Sequence, residues 1–77
     1  MSDVQNRVKK VVAQTLKVDI GRVTEQARFI EDLGAESMQS IELIAAFEEE
    51  FDIEMDEEAA TSVKTVGGAV KFIEKML

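Results

Sequence analysis

The stretch Phe29–Phe51, FIEDLGAESMQSIELIAAFEEEF, decides the fold. Within it, residues 37–51 place Leu43, Phe47 and Phe51 at i, i+4 and i+8, with Ile44 widening the stripe, which is the pattern of an amphipathic helix facing a core. Met38, Ile41 and Ala45 fall at i, i+3 and i+7 on a neighbouring face. That second apolar strip is more than one core needs. Glu48, Glu49, Glu50 and Asp52 crowd the C-terminal end of this helix, where the dipole disfavours negative charge by ~0.3–1 kcal/mol each at low salt. Glu42 and Glu49 lie two turns apart beside the apolar strip. Stability alone would place Lys or Arg here, so the face reads as one kept acidic for a basic partner.

Outward from this helix, Val4, Val8, Val11, Val12 and Leu16 recur at helical spacing, which predicts a first helix over residues 3–16, with Asp3 and Lys17 suiting its dipole. Residues 17–36 break the period. Gly21 and Gly34 are turn signals, and Thr24 starts one short turn. So long a connection is functional or internally packed; Val18, Ile20, Val23, Phe29, Ile30 and Leu33 are its expected apolar anchors. Residues 57–63 predict one or two helical turns capped by Asp56. Residues 66–76 predict a last helix capped by Thr65, with Val66, Ala69, Val70, Phe72, Ile73 and Met76 as its apolar set. Gly67 and Gly68 cost roughly 1 kcal/mol each relative to Ala, so that end is expected to fray. The expected fold is all-α: a small four-helix bundle of three longer helices and one short one, with a long structured loop between helices 1 and 2, in a single domain over residues 1–77.

The chain has 77 residues and no Cys, His, Trp, Tyr or Pro. A disulfide scaffold and a thiolate zinc site are excluded, and the commonest general base is missing. No apolar run approaches a membrane span, and residues 1–10 show no signal-peptide pattern, so a cytoplasmic protein without membrane insertion is expected. The net charge of −7 is unevenly placed: residues 29–63 hold twelve acids and no base. Such a field repels phosphate backbones and anionic lipid, which argues against nucleic acid as a partner. The acids alternate with Phe29, Leu33, Leu43, Ile44, Phe47 and Phe51, so the stretch is no disordered tail.

Asp52, Glu54, Asp56 and Glu58 alternate like a calcium loop, but Glu57 stands where the sharp turn needs Gly and Val63 where the bidentate Glu belongs, so no specific metal site is expected. Glu36 beside Ser37 makes a poor base–nucleophile pair: a carboxylate near pKa ~4.3 activates a hydroxyl feebly, and no His relays the proton. By position alone Ser37 is an N-cap, with Ser40 standing where a capping box would have Glu.

The stretch Phe29–Phe51 resembles the acyl carrier protein family, which shows an aromatic residue, then acid-Asp-Leu-Gly-x-Asp-Ser-Leu, then an acidic helix ending in Glu-Glu-Glu-Phe. Phe29, Glu31, Asp32, Leu33, Gly34, Ser37, Glu42, Leu43, Glu48, Glu49, Glu50 and Phe51 match, and the likeness extends through FDIEM and DEEA to TVGGAVKFIEKM. The resemblance implies a carrier and not an enzyme. Ser37 would accept 4′-phosphopantetheine from coenzyme A through a separate phosphopantetheinyl transferase, and the arm would carry acyl thioesters in fatty-acid or related lipid biosynthesis. It also implies a monomer whose second helix meets basic docking patches on acyl-synthesising or acyl-transferring enzymes through Glu36, Met38, Gln39, Ile41, Glu42, Ala45, Glu48 and Glu49. By matching position, Phe29, Ile44, Phe47, Phe51, Met55, Ala60, Val63 and Ala69 would line a cavity for the acyl chain.

Two departures point to a specialised carrier. The family's Asp-Ser-Leu is here Glu36-Ser37-Met38, and it is followed by Gln39 where an acid is common. Separately, Phe47 stands where Leu is usual, and the larger ring would shorten or reshape the cavity. The alternatives are a carrier of polyketide or aminoacyl cargo, and an acidic helical adaptor with no prosthetic group. The charge profile yields one stability expectation: salt or millimolar magnesium raises the melting temperature by screening the acidic helix, and a thermal melt in each condition checks it.

Overall fold

The computed structural model describes residues 3–77, and Ser37 by its backbone alone. Four α-helices follow in order: α1 (Asp3–Leu16), α2 (Ser37–Phe51), α3 (Glu57–Thr61) and α4 (Val66–Met76), with a 3₁₀ turn at Ile20–Arg22 in the long first loop. The helical bundle expected from the sequence is therefore the one observed. α1 packs against both α2 and α4, and α2 carries α3. The apolar period of α1 buries Val8, Val11, Val12 and Leu16. They meet Leu43, Phe47 and Phe51 of α2 and Val66, Ala69, Val70 and Ile73 of α4 in one core. Each such aliphatic side chain, fully buried, is worth ~1.5–3 kcal/mol.

α1 and α2 stop in the same way. Lys17 and Asp52 adopt left-handed backbone (φ 56° and 54°), and the next amide reaches back five residues: Val18 N–H to the Ala13 carbonyl and Ile53 N–H to the Glu48 carbonyl, both 3.1 Å. α3 ends at Thr61, two residues short of the expected span; its N-cap is the expected Asp56, whose Oδ1 accepts from Glu58 N–H at 3.1 Å. Met76 lies outside the core at 39 % exposure, one turn beyond the last buried residue, Ile73.

The long loop is pinned by backbone. Thr24 does start a turn, its carbonyl accepting from Ala27 N–H at 3.0 Å. The 3₁₀ turn before it, capped by Asp19 Oδ1 on Gly21 N–H, was not anticipated. Residues 25–29 then run antiparallel to residues 64–67. Phe29 N–H donates to the Lys64 carbonyl (3.0 Å), Val66 N–H to Ala27 (3.0 Å) and Gly67 N–H to Glu25 (2.9 Å). Val23, Phe29 and Leu33 are buried anchors and Val18 is half-buried, but Ile20 and Ile30 stay 49 % and 55 % exposed. The backbone bonds do the holding that those two side chains were expected to do.

The same bonds overturn the expectation of a frayed α4. Its first three amides all have acceptors: Ala27 and Glu25 carbonyls for Val66 and Gly67, and Thr65 Oγ1 for Gly68 at 3.1 Å. The glycine at 67 is explained by contact, since a Cβ there would stand 3.0 Å from the Glu25 carbonyl oxygen. Gly67→Ala is therefore expected to lower stability by about 1 kcal/mol, the crowding outweighing the gain in helix propensity; urea unfolding measures it.

Beyond Phe29 the loop closes on itself. Asp32 and Leu33 amides donate to the Arg28 carbonyl, Ala35 N–H donates to Phe29 at 2.8 Å, and Gly34 takes φ +71° to complete the turn. Asp32 Oδ2 accepts from both the backbone N–H (2.8 Å) and Nε (3.1 Å) of Arg28. The Arg28 side chain first, and its backbone amide second, hold the Asp32 carboxyl below its usual value, while Asp32 raises Arg28. A carboxyl depressed in the folded state stabilises above its unfolded pKa of ~3.9 and loses that contribution as pH falls through the folded value. Asp32→Asn should thus lower the melting temperature at pH 7 and flatten its decline below about pH 4, which melting curves across pH 2–7 test.

Candidate functional site

The turn at Phe29–Ala35 delivers the chain to the start of α2. Glu36 is extended (φ −96°, ψ 168°) and is the N-cap, so Ser37 is the first helical residue and not the cap. The reason is local: Gln39 Oε1 reaches back to accept from Glu36 N–H at 2.9 Å, and the Glu36 carbonyl accepts from Ser40 N–H at 3.1 Å. The first turn of α2 carries no acid. Its amides leave a partial positive charge at position 37, where a phosphate ester is favoured. The Ser37 side chain lies outside what the structure describes.

From that start, one face of α2 stays in solvent. Met38 is 76 % and Ile41 56 % exposed, and Glu36, Glu42, Ala45 and Glu49 are exposed with them. Two residues expected on this face have internal tasks. Gln39 is half-buried and caps Glu36; Glu48 is half-buried, and its Oε2 accepts from Met55 N–H at 2.9 Å. Glu50 is engaged too. Arg7 of α1 donates through Nε to Glu50 Oε2 at 2.8 Å and through a terminal nitrogen to the Glu50 carbonyl, with its guanidinium carbon 4.4 Å from the Phe51 ring centre. The base missing from the C-terminal end of α2 is thus supplied by α1, a pairing that spacing along α2 does not reveal.

Beside the start of α2 a cleft of about 270 Å³ enters the bundle. Phe29, Ile44, Phe47, Met55, Ala60, Val63 and Ala69 line it. Phe51 does not: it is buried under Arg7, at the far end of the helix. Leu43 and Phe72 join the lining, and helical spacing from Phe47 and Ala69 was the available signal for both. Ile30, Glu31, Ser40, Thr61 and Lys64 complete it. Ser40 lies one turn after position 37 on the same side of α2, so the cleft begins where the helix begins. Amides at the helix start, with Glu36 at the N-cap and no acid within the first turn, followed by an apolar cleft, fit a phosphate-linked arm with an apolar cargo. Among the described residues no group of three or more carboxylates is placed to hold a metal ion, and no helix is long and apolar enough to cross a membrane.

Residues 6–73 match the family model described as phosphopantetheine attachment site. The chain is 56 % identical to an acyl carrier protein of Phenylobacterium zucineum (strain HLK1) over 77 residues, covering all of this chain and 98 % of that one. It is 57 % identical over 75 residues to acyl carrier proteins of Sinorhizobium fredii (strain NBRC 101917 / NGR234) and of Rhizobium meliloti (strain 1021), covering 97 % of this chain and 96 % of each relative. With that identity over its whole length, and a helix start and cleft suited to the arm, the chain belongs to the acyl carrier protein family, whose prosthetic group is a covalently attached 4′-phosphopantetheine.

Proposed function

We propose that Ser37 is the attachment residue and that the chain is a carrier with no chemistry of its own, serving fatty-acid or related lipid synthesis. The observation that carries this reading is the position of Ser37: first residue of α2, one turn before Ser40, which lines an apolar cleft. The bound arm supplies a thiol for acyl thioesters, which a chain without cysteine lacks. Ser37 offers the hydroxyl to be esterified, and the first-turn amides of α2 favour the phosphate. Gly34 gives the loop the tight turn that delivers Ser37 to the helix start. Glu36, Glu42 and Glu49 meet Arg and Lys of a docking enzyme, while Met38, Ile41 and Ala45 supply apolar contact. Such a patch is small, which suits partners that must come and go.

The cleft keeps water from an acyl chain. Phe29, Phe47 and Phe72 line it beside aliphatic side chains such as Leu43, Ile44 and Val63. With Phe47 where the family has Leu, the space is reshaped by a ring, and Glu36 and Met38 flank the attachment residue with a longer acid and a more pliable apolar side chain. These differences support a dedicated carrier over a general one.

Intact mass tests the reading. Incubation with coenzyme A, magnesium and a broad-specificity phosphopantetheinyl transferase is expected to add one phosphopantetheine to the chain and none to Ser37→Ala. An addition that persists in Ser37→Ala removes the assignment; no addition to either, with Glu36→Asp/Met38→Leu also inert, leaves an adaptor.

A further inference from the structure

We infer that Met38 is a reversible oxidation site: a peroxide converts its thioether to the sulfoxide, and the oxidised chain accepts the prosthetic arm poorly until a methionine sulfoxide reductase restores it. This rests on the reading of Ser37 as the attachment residue and of the exposed face of α2 as the docking face. The chain has no Cys, His, Trp or Tyr, so until an arm brings in a thiol the methionine thioethers are its most readily oxidised groups.

The methionines are not equivalent. Among the described residues Met38 is 76 % exposed and Met76 39 %, while Met55 is half-buried in the lining of the cleft. Peroxide therefore meets the sulfur of Met38 first. The sulfur lone pair attacks one peroxide oxygen; the S–O bond forms, the O–O bond breaks, and the departing hydroxide takes a proton to become water. Sulfur gives up two electrons and the peroxide receives them.

Position makes the change consequential. Met38 directly follows the attachment residue and begins the exposed apolar strip that Ile41 and Ala45 continue. As a thioether it is a pliable apolar contact; as a sulfoxide it carries a polar oxygen that a partner must strip of water. The exposed Glu36 and Glu42 are untouched, so a basic partner is still attracted while the apolar part of the contact is lost. Leucine, which the family has at this position, offers no such gate.

The test treats the apo chain with hydrogen peroxide, maps the oxygen by peptide mass, and then measures transfer of the arm from coenzyme A by a broad-specificity transferase with magnesium. Met38 is expected to gain its oxygen several times faster than Met55 or Met76. The kcat/KM for transfer should fall about tenfold, mainly through KM, as befits a lost apolar contact. Reductases for both sulfoxide epimers should restore it. Met38→Gln, a polar mimic, should show a similar loss without peroxide. Met38→Leu keeps the other three methionines and, whatever its starting rate, should lose none of it to peroxide. Oxidation of Met55 or Met76 as fast as Met38, transfer to the oxidised chain at the parent's rate, or a loss that Met38→Leu shares overturns the gate. No transfer to the untreated parent counts against the attachment reading instead, and the order of oxidation then decides the site alone.

Discussion

The backbone exchange between residues 25–29 and 64–67 is the constraint from which the rest of the site follows. It gives the amides at the start of α4 their acceptors and gives the long loop a fixed edge. Phe29 is thereby seated in the core, and the turn from Arg28 to Ala35 is built on its carbonyl. That turn determines where α2 begins. A loop held only by side chains would fix the first helical residue less firmly than one held by paired backbone.

The second problem the fold solves is charge. All three arginines of the chain lie within residues 1–28, and each reaches into the acidic part: Arg7 to Glu50, Arg22 to the Asp32 carbonyl, and Arg28 to Glu31 and Asp32. The ion pairs are substantially exposed, so each contributes little to stability. Their placement matters more than their strength. They neutralise the loop before α2 and the end of α2, and they leave the solvent face between Glu36 and Glu49 acidic. Arg7 adds packing as well, because its guanidinium covers Phe51.

Helix periodicity made α1, α2 and α4 legible to the residue, because each has a clear apolar stripe between capping signals, as Thr65 shows on Gly68 N–H. The exposed strip of Met38, Ile41 and Ala45 was legible for the same reason: two apolar faces cannot both enter one core. What stayed hidden depends on residues far apart in the chain. Gly67 looks like a weak helix start until the Glu25 carbonyl is beside it. Ile20 and Ile30 look like anchors until backbone pairing makes them unnecessary. Phe51 fits the cleft by analogy of position, but it ends α2 away from the cleft, where Arg7, more than forty residues away in sequence, covers it. Glu48 reads as one more surface acid, and only the fold of residues 52–55 gives its carboxylate an amide to hold.

The pairing of residues 25–29 with 64–67 also orders events during synthesis. Its two halves are separated by some forty residues, so the chain must close a large loop, at an entropic cost that local helix formation does not meet, before either half is satisfied. A ribosome-bound chain that has exposed Ser37 but not yet Lys64 has α1 and α2 as local possibilities and no fixed boundary between loop and helix. The geometry that fixes position 37 as the first residue of α2 is therefore a property of the finished chain.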